Sequence, residues 1–187
     1  MRKQPRKLNT EEELYAAALR ALMRRAHSVY EMRQLLERRA EEAKLARTVL
    51  QRLKQETLLD DARYARQFAR YHAESRRQGR YRIARELRTR GVPDRHIEAA
   101  IEETFAETDE AALVRKRIER KLKLLRGPLD ERRMASLYRT LLRAGFGTDV
   151  IRRELRALTK LAVEELPEPE DLEATDGPFG SAQGRHG

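Results

Sequence analysis

Leu87-Arg88-Thr89-Arg90-Gly91 occurs in two related versions elsewhere in the chain, as Leu36-Glu37-Arg38-Arg39-Ala40 and as Leu141-Leu142-Arg143-Ala144-Gly145. The three leading leucines are 51 and 54 residues apart, which is the signature of an internal repeat. Because each version ends a run with helical apolar spacing, this stretch decides how the whole molecule is built.

The apolar residues around each leucine repeat as well. One lies four positions before it, a helical turn away on the same face, and two more lie ten and fourteen positions after it. Each copy therefore predicts one helix before the Ala/Gly position and one after it. A further helix is predicted ahead of each pair, over residues 14–26, 61–74 and 109–125. The repeated positions are Met32, Ala46 and Leu50, then Ile83, Ile97 and Ile101, then Leu137, Ile151 and Leu155.

The resulting fold class is all-α: an elongated array of three tandem three-helix repeats with a disordered C-terminal tail. We predict a basic flexible N-terminus at 1–10, repeats at 11–58, 59–107 and 108–163, and a tail at 164–187 that is acidic and then Gly-rich. The tail has too few apolar residues to offset its ordering entropy. It serves as a solubilising end or, alternatively, masks the basic body within the same molecule.

Helix boundaries are well marked in the sequence. Thr10 with Glu13 and Ser28 with Glu31 fit the capping box. Gly91 and Gly145 supply a left-handed stop, and Gly127-Pro128 separates the first two helices of the third repeat. Ala40 has no such freedom, so we expect a frayed or continuous helix from about residue 30 to 55. Carboxylates expected near other helix starts are Asp60 or Asp61, Asp94, Asp109, Asp130 and Asp149.

Composition restricts the compartment and the partner. The chain has no Cys, which excludes disulfides and thiolate metal sites. It shows neither a signal peptide nor an apolar run of membrane-spanning length, so we expect a cytoplasmic protein with no membrane partner. Residues 1–160 contain 40 basic and 24 acidic residues, a net charge of +16. Such a body favours a polyanionic partner, either nucleic acid or an acidic protein surface.

Residues 76–90 contain seven arginines and one acid. We interpret this cluster as a binding surface, because guanidinium groups suit phosphates and carboxylates alike; the alternative is a solvated helix face. With related arginines in the flanking repeats, it could form one basic ribbon. The candidate binding residues are Arg76, Arg77, Arg80, Arg82, Arg85, Arg88 and Arg90 in repeat 2, Arg25, Arg33, Arg38 and Arg39 in repeat 1, and Arg139 and Arg143 in repeat 3.

The aromatic residues are few. Tyr64, Phe68 and Tyr71 share one helical face and are interpreted as a core stripe, with base stacking as the alternative. Tyr30 and Tyr81, each six residues before a repeat leucine, are interpreted as packing residues.

Nothing in the sequence predicts an enzyme or a cofactor. Asp60-Asp61 and Glu102-Glu103 are the nearest approach to paired carboxylates, but adjacent residues point to different sides of a helix. We interpret the aspartates as helix caps. The four histidines, at 27, 72, 96 and 186, have no metal-binding spacing, and no glycine-rich phosphate loop is present.

Four short segments follow one another in a distinctive order: Arg25–Met32 with Leu36 downstream, Leu58–Ala65, Glu86–Val92 and Leu142–Phe146. In order and spacing they resemble the RecX family, bacterial regulators of the RecA recombinase, over roughly residues 14–160. The chain departs from the family pattern at three positions. Met32 replaces a usual Leu, Ala40 a usual Gly, and Thr57 a frequent Gly before the Leu-Asp-Asp element.

The resemblance implies a non-catalytic, monomeric regulator of DNA repair, recombination and the SOS response. Such a protein lies in the groove of the RecA filament on single- or double-stranded DNA, bridges protomers, and inhibits RecA ATPase, strand exchange and coprotease activity. Two alternatives remain open. One is an autonomous DNA-binding helical-repeat protein that acts through phosphate contacts; the other is a nuclease, which would rest on the carboxylate pairs alone.

Overall fold

The structure of the chain is a computed structural model that describes residues 7–124 and 129–159. Within those ranges it consists of nine α-helices, which confirms the all-α prediction. The Gly127-Pro128 break, residues 1–6 and the predicted tail at 164–187 lie outside the described residues. The helices are α1 Glu11–Arg24, α2 Val29–Arg39, α3 Ala43–Gln55, α4 Asp61–Glu74, α5 Arg80–Thr89, α6 Asp94–Glu107, α7 Glu110–Leu122, α8 Glu131–Arg143 and α9 Thr148–Thr159.

The helices pack in threes, α1–α3, α4–α6 and α7–α9, as the repeat predicts. The chain divides into two compact units, of which the first ends at Asp109 and holds α1–α6, and the second begins at Glu110 and holds α7–α9. In the described ranges, no helix combines the length and the apolarity needed to cross a lipid bilayer.

The repeated apolar positions form the core of each triplet. Leu36, Leu87 and Leu141 are all fully buried. Burying one such side chain contributes about 2 kcal/mol, so the periodicity marks the main source of stability in every repeat. The other repeated positions are buried at Met32, Ile83, Leu137, Ala46, Ile97, Ile151 and Leu155, and half-buried at Leu50 and Ile101.

The repeat leucines also close their helices through the backbone. Gly91 and Gly145 have φ angles of +69° and +88°, the left-handed conformation that the sequence predicts. This turn directs the next amide back onto the leucine carbonyl, from Val92 to Leu87 at 3.2 Å and from Phe146 to Leu141 at 3.4 Å. Both are Schellman closures, in which the residue after the glycine is apolar and buried.

Ala40 ends α2 differently, and the predicted frayed or continuous helix over 30–55 is wrong. Its backbone is extended, with φ −70° and ψ 143°. Leu8 forms a bridge here, because its N–H donates to the Arg39 carbonyl at 2.8 Å and its own carbonyl accepts from the Glu41 N–H at 2.9 Å. A chain segment distant in sequence thus satisfies backbone groups that the other repeats satisfy with a glycine turn.

The predicted helix starts agree with the structure in most cases. The Ser28–Glu31 capping box is complete, and the Thr10 hydroxyl accepts from the Glu13 amide, so that α1 begins at Glu11 rather than at residue 14. Asp60 and Asp130 cap α4 and α8. Of the remaining predicted aspartates, Asp94 and Asp149 lie in the first turns of α6 and α9, and Asp109 directly precedes α7.

Thr57 occupies the position where a glycine would be expected at the end of α3. Its φ is +57°, and the amides of Thr57 and Leu58 make the same Schellman bonds, to Lys54 and Leu53, both at 3.0 Å. Arg63 further holds this turn by donating to the Thr57 carbonyl at 2.8 Å. A β-branched residue in the left-handed region is strained, so the first unit keeps this turn at a cost in stability.

We expect Thr57→Gly to raise the free energy of unfolding by about 0.5–1 kcal/mol. Relief of left-handed strain contributes about 1–2 kcal/mol, and the added freedom of glycine in the unfolded chain removes part of it. Urea denaturation followed by circular dichroism measures the change. Thr57→Ala retains a Cβ and should gain less, whereas Thr48→Gly, inside α3, should lose stability. If the Thr57→Gly variant is less stable than wild type, the inference that the Thr57 backbone is strained is wrong.

Candidate interaction surface

Repeats 1 and 2 meet in the first unit along a polar contact that we call the seam, formed by Ser28, Val29 and Glu31 with Asp61 and Arg90. The Ser28 hydroxyl donates to the Arg90 carbonyl at 2.6 Å. The Val29 amide donates to Asp61 Oδ1 at 2.9 Å, and Arg90 Nη1 donates to Glu31 Oε1 at 2.9 Å. The start of α2 is therefore fixed by groups from the next repeat.

Glu31 lies between two arginines at the seam. Arg25 contacts both of its carboxylate oxygens, at 2.9 and 3.2 Å, and Arg90 adds the third guanidinium contact. Burial by itself would raise the pKa of Glu31, but the hydrogen bonds from Arg25 and the Ser28 amide, with the charges of Arg25 and Arg90, hold it below its ordinary value. Arg25 and Arg90, two of the predicted binding residues, thus have structural partners within the chain.

Gly91 fits closely against Tyr30 beside the seam. A Cβ built on Gly91 would lie 2.4 Å from Tyr30 Cγ, so no larger residue fits without movement of the ring. The interpretation of Tyr30 as a packing residue is confirmed. Gly91 therefore both closes α5 and lets the two repeats approach.

Asp60 and Asp61 cap two different helices. Asp60 accepts from the Ala62 and Arg63 amides of its own helix, and chiefly the bond from Arg63 lowers its pKa. Asp61 accepts from Val29 at the start of α2, and its burial raises its pKa. Capping thus accounts for the most prominent carboxylate pair. In the described part of the chain, no group of three or more His, Asp or Glu side chains is arranged to hold a metal ion.

The arginine cluster of residues 76–90 divides into paired and unpaired side chains. Arg82 donates to Glu86 and Arg88 to Asp94, both at 2.8 Å. Arg85 is exposed and forms neither a hydrogen bond nor an ion pair with the described residues. Arg80 and Arg76 lie over the rings of Phe105 and Tyr71, at 5.1 and 5.8 Å, and Arg77 is half-buried with a φ of +50°.

A polar network fixes the turn that leads into α5. His72 Nδ1 lies 2.7 Å from Gln78 Oε1, and Gln78 Nε2 donates to Glu86 Oε1 at 3.3 Å. Phe68 stacks on the His72 ring, with 3.9 Å between the centroids. The network holds Glu86 against Arg82, so the start of α5 is anchored to the end of α4.

Two aromatic residues are more exposed than the sequence indicates. Tyr81 is 65% exposed, so its interpretation as a packing residue is wrong. Tyr71 is 50% exposed and only borders the core, whereas Tyr64 is buried and Phe68 half-buried as predicted. Tyr81 lies one helical turn before Arg85, which places an open aromatic ring next to an unpaired guanidinium.

The other predicted binding residues lie in both units. In the first, Arg33 lies 5.3 Å from the centre of the Tyr30 ring, Arg38 is exposed and Arg39 is half-buried. In the second, Arg143 is exposed and Arg139 half-buried. A basic ribbon along all three repeats stays a prediction.

A cleft between repeats 1 and 2 contains basic residues that are not among the binding residues predicted from the sequence. Lys54, Arg95 and His96 line it together with Arg33 and Tyr30. Lys54 belongs to the last turn of α3 and Arg95 to the first turn of α6. Both lie beside turns that are marked in the sequence, Lys54 near Thr57 and Arg95 after Pro93, and the fold brings these two turns to one cleft.

Comparison with known proteins gives concordant results. Residues 60–101 match the family model described as RecX, second three-helix domain. The regulatory protein RecX of Halorhodospira halophila is 40% identical over 141 residues, covering 75% of this chain and 85% of the relative. That of Prosthecochloris aestuarii is 35% identical over 134 residues, covering 72% and 85%. The crystal structure of RecX from Lactobacillus salivarius has the same fold, with a TM-score of 0.64 and 17% identity over 81% of this chain and 97% of that one.

The pH dependence of stability tests the role of Glu31. Its depressed pKa means that its ionised form stabilises the fold above the unfolded glutamate pKa of about 4.3, and that this contribution is lost as the pH falls through the lower folded value. We expect Glu31→Gln to cost about 1–2 kcal/mol at pH 7, since it removes charged hydrogen bonds. The difference from wild type should shrink below pH 4, as measured by urea denaturation. Glu37→Gln, exposed on the same helix, is the matched control; a pH-independent Glu31→Gln difference would contradict the assignment.

Proposed function

The chain belongs to the RecX family of regulatory proteins, and on that premise we propose that it binds the RecA–DNA filament and inhibits RecA ATPase, strand exchange and coprotease activity. The observation that supports the proposal most directly is the similarity to named RecX regulatory proteins over most of the length of both chains. The proposed inhibition of RecA rests on the resemblance of the sequence motifs to those of the RecX family.

The surface of the first unit is consistent with this role. Arg85 and Arg38 are exposed without a carboxylate partner among the described residues, so they are available to an acidic surface or to phosphates. We propose that the protein acts in the cytoplasm as a monomer, by binding rather than by catalysis, and reaches DNA directly or through the filament. It needs no cofactor in this proposal.

A steady-state ATPase assay tests the proposal. Sub-stoichiometric protein added to RecA, single-stranded DNA and ATP is expected to lower the rate of ATP hydrolysis, because one bound molecule affects several protomers. Unchanged hydrolysis over a broad concentration range would refute it.

The same assay tests the arginine surface of α5. The combined change Arg82→Ala, Arg85→Ala and Arg88→Ala should weaken inhibition several-fold, with most of the effect from Arg85, since Arg82 and Arg88 already have carboxylate partners. Circular dichroism should show unchanged helicity. Arg47→Ala, an exposed arginine on α3, is the control. If the triple variant inhibits as strongly as wild type, the contact with the filament lies on another surface of the protein.

Autonomous binding to DNA is the second candidate, and exposed Tyr81 beside Arg85 favours it, because an open aromatic ring can stack on an unpaired base. Binding driven by phosphate contacts weakens steeply with salt as counterions are released. We therefore compare binding to naked single-stranded DNA and to the filament over a salt titration. Filament binding that survives at a salt concentration which abolishes DNA binding would reject this candidate; parallel loss of both would support it.

A further inference from the structure

The cleft between repeats 1 and 2 is a cavity of about 520 Å³. Tyr30, Leu59 and Pro93 contribute apolar surface to it, and Arg33, Lys54, Arg95 and His96 contribute nitrogen groups. The contributing elements are α2, the end of α3 and the start of α6, and the seam bond from Val29 to Asp61 fixes the start of α2 beside the cleft. The cleft is therefore formed jointly by helices of both repeats in the first unit.

Three basic side chains of the cleft form no close ion pair with a described residue, although the charge of Lys54 opposes the rise that burial causes in the pKa of Asp61. Arg33, Lys54 and Arg95 form no ion pair with any carboxylate in the ranges that the structure describes. Arg33 lies over the Tyr30 ring, and Arg95 Nε lies 3.3 Å from His96 Nε2. Like charges gathered around one concave surface repel each other, and an anion seated among them would remove that repulsion.

Asp60 and Asp61 also line the cleft and restrict the kind of anion that fits. Both are engaged by backbone amides, and they keep the cleft from being uniformly positive. A nucleic acid strand carries a charge at every nucleotide, so threading it through would bring phosphates against these carboxylates. A single carboxylate on a protein side chain meets the cations without this conflict, and its apolar neighbours can cover Leu59 and Pro93.

We propose that this cleft receives an acidic side chain from the surface of the protein partner. The inference rests on the proposed function and deepens it, since the partner there is a RecA protomer of the filament. Arg33 and Arg95 offer planar guanidinium groups that can bind one carboxylate with paired hydrogen bonds, and Lys54 adds a point charge. The cleft is distinct from the arginine face of α5.

Charge reversal in the cleft provides the first test. The combined variant Arg33→Glu, Lys54→Glu and Arg95→Glu is expected to weaken binding to RecA filaments on single-stranded DNA by about 100-fold, because repulsion replaces attraction at the contact. The matched control is Arg20→Glu, Lys44→Glu and Arg47→Glu, which makes the same charge change at exposed positions of α1 and α3 outside the cleft. If circular dichroism shows that the reversal variant is misfolded, the variant with glutamine at the three cleft positions replaces it and should lose about 10-fold.

Zero-length crosslinking provides the second test. A water-soluble carbodiimide joins the Lys54 amine to a carboxylate as an amide, while the carbodiimide takes up the elements of water and leaves as a urea. Mass spectrometry of wild-type protein on the filament should find Lys54 linked to an Asp or Glu of RecA. Lys44, exposed on α3 outside the cleft, should be linked far less.

The outcomes separate this inference from the proposed function. Wild-type protein that does not bind the filament refutes both. Wild-type binding that the cleft variants retain, without a Lys54 crosslink, refutes the cleft alone. Cleft variants that lose binding to naked single-stranded DNA but keep filament binding assign the cleft to phosphate and also refute the inference. Selective loss of filament binding with a Lys54 crosslink supports it.

Discussion

The left-handed backbone at Gly91 is the constraint on which the first unit depends. It turns the chain out of α5 and directs the Val92 amide onto Leu87. It also presents a surface without a side chain to Tyr30, so that repeats 1 and 2 can approach. Because Arg90 directly precedes this turn, its carbonyl reaches Ser28 and its guanidinium reaches Glu31. The same turn at Gly91 therefore both ends α5 and allows repeats 1 and 2 to associate.

The ion pairs within the first unit show that not all of the positive charge of the chain is available to a partner. Part of it balances carboxylates within the fold, as Arg25 and Arg90 do around Glu31 and Arg82 does beside Glu86. Arginine density along the sequence is therefore a poor guide to a contact surface. The exposed cations without partners are fewer, and those in the cleft come from segments that are far apart in sequence.

The sequence predicts those features that depend on local periodicity and local hydrogen bonding. The leucine repeat identifies the core, and the capping residues identify most helix starts, because both depend on residues a few positions apart. Ala40 was mispredicted because its partner, Leu8, is far away in the chain. Tyr81 was mispredicted because burial depends on which helices cover a face, and periodicity does not report that. Lys54 and Arg95 are absent from the predicted binding residues for the same reason, whereas Arg33, which lines the same cleft, is among them.

Thr57 shows how a structural cost can be hard to remove by mutation. Threonine and glycine codons differ at two positions, so one base substitution cannot convert the first into the second. The intermediate codons specify alanine, serine or arginine, all of which keep a Cβ in the left-handed turn and therefore keep much of the strain. Replacement of this threonine by glycine through single base substitutions therefore passes through an intermediate that gains little stability. The genetic code thus helps to preserve the strained turn beside the cleft.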